Sequence, residues 1–152
     1  MRGFLLDDNH VGPFFRNELG ITAKIRATPV EWLLWVCSIT LGEIEAGHRI
    51  THTTDQQKRD EFSEFVNKNF SKLEVSEHTQ TYYGEIMGRI FRKHPPPIGK
   101  KTEKHLVDLG VDINDVWVVA VAWEHGLTVL TNDKMTCIRE AVGDEVQFED
   151  WT

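Results

Sequence analysis

Apolar positions along the chain follow two spacings, and the clearest stretch holds both. Within residues 112–134, Val116, Val119, Ala120 and Trp123 recur at i, i+3, i+4 and i+7, the spacing of one helix face. Trp117, Val118, Val121 and Ala122 fill the other faces, so the pattern predicts a helix buried nearly all round. Gly126 marks its end, because glycine takes the left-handed cap cheaply. The β-branched run 127–131 is too short for a helix and predicts a strand. Asp115 falls in the first turn of this helix, and Asp133 just past the strand.

The rest of the chain alternates in the same way. Residues 3–6 predict a first strand, followed by Asp7-Asp8-Asn9. A short helix is expected over 11–19, with Pro13 in its first turn and Phe14 and Phe15 packed inward, then a connecting loop over 20–28. Residues 35–39 predict the second strand, approached by a helical or extended segment over 29–34. Thr40-Leu41-Gly42-Glu43 reads as a capping box opening the next helix. An amphipathic helix over 55–72 precedes a short strand at 73–75. Residues 79–93 predict a helix with Tyr82, Tyr83, Ile86, Ile90 and Phe91 as its inner stripe, stopped by three prolines. Short helices over 102–109 and 135–142 and a last strand at 146–148 complete the set. Strands separated by helices imply a three-layer α/β/α sandwich, with a mostly parallel central sheet of four or five strands. With 152 residues, a single domain spanning 1–152 is expected.

Composition narrows the class. Hydrophobic content of 40% and charged content of 27% are those of a globular protein. No apolar run reaches membrane-spanning length. The first residues are too briefly apolar for a signal peptide, so a cytoplasmic location is expected. Cys37 and Cys137 lack metal-type spacing; Cys37, in an apolar run, reads as a buried reduced thiol. The net charge of −7 argues against nucleic-acid binding, but its distribution softens that. Six of the 17 basic residues lie in residues 89–105, against one acid, Glu103. Arg92, Lys93, Lys100, Lys101 and Lys104 there either contact phosphates or are simply solvated.

Four acids sit at strand-to-helix corners: Asp7 after the first strand, Glu43 at the start of the helix after the second, Asp115, and Asp133. Singly, each has an ordinary use. Asp7 suits a turn or N-cap, and Glu43 suits the capping box. In a parallel sheet, however, these corners share one edge. Two carboxylates about 5 Å apart repel by roughly 3 kcal/mol at an effective dielectric near 20, which a fold tolerates only with a proton or a cation between them. Oxygen-only ligands select a hard cation, Mg²⁺ or Mn²⁺, and such a cation can activate water against a phosphodiester. The seven histidines form no ligand pattern, and none is assigned to catalysis.

The segments LLDDN (5–9), SITLGEIEAG (38–47) and INDVWVVAVAWEHGLTVLTND (113–133) resemble PIN-domain nucleases, in particular the VapC-like toxin halves of bacterial toxin–antitoxin pairs. The resemblance covers nearly the whole chain. It implies metal-dependent cleavage of RNA, with Asp7, Glu43 and Asp115 holding the metal and Asp133 completing the acidic cluster. On it, Asn9 and Thr131 orient ligands or water from behind. It also implies a small antitoxin partner, with aromatics near Phe14, Phe15 and Trp32 as one contact, and a homodimer. Asp8 departs from the small or polar residue usual at its position, which leaves metal stoichiometry open. A receiver-like phosphorelay domain is excluded, because no aspartate follows the second strand. A PIN-fold nuclease of RNA processing without an antitoxin, and a catalytically silent binding module, are the other readings.

Overall fold

The computed structural model describes residues 2–51 and 55–152; His52 lies outside them. Five strands, β1 (Gly3–Leu6), β2 (Leu33–Cys37), β3 (Ser71–Leu73), β4 (Thr128–Leu130) and β5 (Phe148–Glu149), form one sheet. Their order is β3-β2-β1-β4-β5. Every neighbouring pair is parallel, so the sheet is parallel throughout, not merely for the most part.

Period-two alternation sends successive strand residues to opposite faces. Phe4, Leu6, Val36 and Leu130 enter one core together with Val11, Ile21 and Val66. These last come from helices α1 (Asp8–Phe15), α2 (Leu19–Ala27) and α4 (Gln56–Asn69). Leu5, Cys37 and Val129 enter the other core, with Ile86, Leu106, Val118 and Ile138. Those belong to α5 (Thr79–Lys93), α6 (Thr102–Asp108), α7 (Ile113–His125) and α8 (Thr136–Val142). Helix α3 (Ser38–Ile50) gives Leu41 and Ile44 to the first core and Ile39 to the second. The expected three layers follow directly.

Helix α7 is buried as its pattern requires, with Val116 and Val118 through Ala122 fully covered. It ends on Gly126 at φ 63°, where the Gly126 and Leu127 amides donate to the carbonyls of Trp123 and Ala122. An added Cβ at Gly126 meets no atom within 4 Å, so only the backbone conformation resists it. Gly126→Ala is expected to lower the unfolding free energy by about 1–2 kcal/mol, measurable by urea denaturation.

Several boundaries differ from the expectation. The loop expected over 20–28 is helix α2, and the helix expected over 11–19 begins at Asp8 and stops at Phe15. Strands β2 and β3 both begin two residues earlier than expected. The capping box does not form. Cys37 holds the extended cap conformation (φ −98°, ψ 161°), and α3 begins at once with Ser38. Thr40 therefore lies inside the first turn, fully buried and 3.6 Å from the Cys37 sulfur, leaving Glu43 in the second turn and free of any capping duty. A 3₁₀ turn, Gly143–Glu145, precedes β5. The aromatics assigned to a partner are mostly engaged internally. Phe14 packs edge-on against Phe65 and Phe70, Phe15 packs against Phe62 and Phe65, and Trp32 stacks on Phe4.

The strand order sets the place for chemistry. The chain runs from β1 outward through β2 to β3, then returns to the other side of β1 for β4 and β5. Connections leaving β1 and β4 thus diverge, and the crevice between them is where open α/β sheets bind ligands.

Candidate functional site

Asp7 follows β1 at this crevice. Its amide donates to the Leu130 carbonyl at the end of β4, 3.0 Å away. Its side chain caps α1 by accepting from the Asp8 amide (2.9 Å). The capping reading of Asp7 therefore holds, but it uses only one carboxylate oxygen. The other, Oδ2, accepts from the Thr131 hydroxyl (2.9 Å). Asp7 is 3% exposed. Burial pushes its carboxyl up to about 6, helped by the charges of Asp8 and Asp133 and opposed by the bonds from Thr131 and the Asp8 amide.

Asp115 stands in the first turn of α7, where the helix dipole favours an anion; the Asp112 carboxylate caps the same helix by accepting from the Asn114 amide (2.8 Å). Burial, then the charges of Asp7, Asp112, Asp133 and Glu43, push Asp115 up to about 7. Asp133 lies three residues past β4. Asp7, Asp115 and Asp133 each offer one oxygen, and these oxygens lie within 4.8 Å of one another. Glu43 stands beside this trio rather than within it. Burial raises its carboxyl above the usual range, as do the charges of Asp8, Asp7 and Asp112, while the Asn114 side chain draws it down.

Asn9 and Thr131 tie the cluster together. The Asn9 amide nitrogen donates to Thr131 Oγ1 (3.1 Å) and Asp133 Oδ2 (3.3 Å), and reaches Asp7 Oδ2 at 3.5 Å. Thr131 Oγ1 also accepts from the Asp133 amide (3.1 Å). A hydroxyl has one donor and two acceptor positions, and all three are used, so its hydrogen is committed to Asp7.

The basic segment is less available than its sequence implies. Arg92 pairs with Glu85, Lys93 with Glu140, and Lys100 with Asp108. Lys101 and Lys104 are exposed, and neither has an ion-pair partner among the described residues. A different basic wall went unnoticed in the sequence. Arg16, Lys58 and Arg59 line a groove that opens beside Asp8, against Phe15, Ile44 and Phe62. Also unforeseen is His10, fully buried directly behind Asn9. Its position next to the acidic turn was a usable signal; its second partner, Trp151, was not.

Comparison with known proteins fits this geometry. A family model described as PIN domain matches residues 30–141. The chain belongs to the PIN domain family. Among curated proteins none matches it in sequence. Solved structures share the PIN fold over nearly the whole chain. VapBC from Salmonella typhimurium, bound to DNA, superposes with a TM-score of 0.70 at 19% identity, covering 100% of both chains. VapBC2 from Rickettsia felis, bound to a promoter DNA fragment, gives 0.69 at 15% identity over 99% of each chain. VapBC-5 from Mycobacterium tuberculosis, of the VapBC family of toxin–antitoxin systems, gives 0.56 at 22% identity, covering 99% of this chain and 98% of that chain. Among the described residues, no helix is long and apolar enough to cross a membrane.

Proposed function

We propose that the protein is a Mg²⁺- or Mn²⁺-dependent ribonuclease, the toxin of a toxin–antitoxin pair. In this reading it works as a homodimer held in check by a small antitoxin. The observation that carries the reading is the convergence of Asp7, Asp115 and Asp133 at the crevice between β1 and β4. The similarity to toxin–antitoxin structures supports the partner.

The donor set fits a hard divalent cation. It is all oxygen, and the Asp7 and Asp115 carboxyls are held above their usual range by burial and by neighbouring acids, a repulsion a cation offsets. Asp7, Asp115 and Asp133 would hold the ion, with Glu43 at the margin. When bound, it supplies an activated water and neutralises charge developing on the scissile phosphate. The chain's own residues do the positioning. Thr131 and Asn9 fix the Asp7 and Asp133 carboxylates by hydrogen bonds, and the α1 amide holds the far oxygen of Asp7. Lys101, Lys104 and, in the groove beside Asp8, Lys58 are exposed and have no ion-pair partner among the described residues, so each can meet an RNA phosphate. Arg92, Lys93 and Lys100 would have to exchange an acidic partner to do so.

Incubation of the purified chain with single-stranded RNA tests the reading. Cleavage is expected with Mg²⁺ or Mn²⁺ and should vanish in excess EDTA; undiminished turnover in EDTA would overturn it.

A further inference from the structure

His10 is 0% exposed, an unusual position for a titratable ring with no place in the proposed chemistry. Its two nitrogens are both used. Nε2 lies 2.9 Å from the Trp151 backbone amide, which donates to it. Nδ1 lies 2.7 Å from Asn9 Oδ1. An imidazole that accepts at Nε2 carries its proton on Nδ1, so His10 donates to Asn9.

A separate bond fixes the same assignment from the other side. The Asn132 backbone amide, just past β4, donates to Asn9 Oδ1 (3.2 Å). A carbonyl oxygen must therefore sit there, and two donors converge on it. The amide NH₂ of Asn9 is left facing Asp7, Thr131 and Asp133. Turned over, Asn9 would set its NH₂ against two donors and its oxygen against two carboxylates.

We propose that His10 is a positioning residue for the acidic cluster: held as the Nδ1–H tautomer by the Trp151 amide, it locks Asn9 in the orientation that lets its NH₂ hold Asp7 and Asp133 for a divalent cation. The proposal rests on the metal-dependent reading above. The path runs from the segment after β5, through a buried ring, to Asn9 in the first turn of α1, and thence to the segment after β4.

Two variants separate positioning from packing. In His10→Asn, the side-chain amide occupies the place of Nδ1 and can still donate to Asn9. In His10→Gln, the longer side chain reaches the place of Nε2 and can still accept from Trp151, but the donor to Asn9 is gone. Each variant keeps one of the two bonds, so a purely structural role predicts similar behaviour from both. Positioning predicts that Mn²⁺ binding by calorimetry weakens about tenfold or more in His10→Gln and stays within about threefold of wild type in His10→Asn, the range seen when a ligand's supporting bond is lost. In the metal-free protein, the Asn9 side-chain NH₂ signals in ¹H–¹⁵N spectra should keep their wild-type positions in His10→Asn and move to exposed-amide values in His10→Gln. Equal Mn²⁺ affinity and equal Asn9 signals in the two variants would overturn the proposal. Failure of the wild-type chain itself to bind Mn²⁺ is a distinct result, which sinks the metal reading and this proposal with it.

Discussion

Replacing Asp115 with asparagine is expected to leave a folded chain whose RNA cleavage has fallen about a thousandfold or more. A held cation stabilises transition-state charge by several kcal/mol, and each ~1.4 kcal/mol is a factor of ten in rate. The same change is expected to stabilise the metal-free protein. Burial and neighbouring acids push Asp115 from 3.8 up to about 7, so its ionised form costs native stability. Asp115 is only half-buried, and solvent screening trims the cost to about 1–2 kcal/mol. The unfolded chain ionises near 3.8 and the folded chain near 7. Stability linked to this group is therefore complete below pH 4 and drains away as pH rises to 7. The asparagine variant escapes that drain. Its advantage should grow from pH 4 to 7 and hold above. Urea melts in EDTA across this range, beside cleavage assays at saturating Mn²⁺, check both halves. A variant no more stable than wild type at pH 8 would mean that Asp115 is not held against its neighbours.

The second large effect is on the wild-type chain. Asp7 is raised to about 6, Asp115 to about 7, and Glu43 in the same direction. Without metal, the native state binds more protons than the unfolded chain between pH 4 and 7, and it should lose stability across that window. Mn²⁺ has to displace those protons, so its stabilisation should be small at pH 5 and large at pH 8. At a hundredfold excess over its dissociation constant, a bound ligand adds about 2.7 kcal/mol. For a chain of this length that is about 5–10 °C in Tm. Thermal melts with Mn²⁺ and with EDTA at the two pH values measure it. A gain that is equal at both would show that protons and the ion do not compete for these acids.

Much of this site was legible because its parts announce themselves locally. The run at Gly3–Leu6 ends in a carboxylate, the buried α7 has Asp115 in its first turn, and Gly126 stops it. What failed was judged from signals that burial overrides. Helix α2 shows only Ile21 and Ile25 as an inward pair, has no side-chain cap and carries Gly20 in its first turn. Helical propensity there is weak, and packing of Ile21 into the core decides the matter. The junction at Cys37–Ser38 misled for the opposite reason. Only Ser38 interrupts the apolar run where strand passes into helix, and the later Thr40-x-x-Glu43 pattern gave the stronger start signal, although its threonine is buried. Asp7, Asn9, Thr131 and Asp133 could be proposed from the sequence; the hydrogen bonds that join the first two to the last two could not, since they link residues 122 to 124 apart in the chain. His10 looked like one of seven scattered histidines because its meaning depends on Trp151, which is 141 residues away.

That distance also governs when the site comes into being. Asp7 and Thr131 are 124 residues apart in the chain, and they meet only because β4 pairs in parallel with β1. Closing so long a loop is among the slower steps of folding, and the contacts that reward it arrive together at the end. A half-made or partly unravelled molecule holds its acids on separate pieces. On the proposed reading it has nothing with which to cut, and activity would switch on with completion of the sheet.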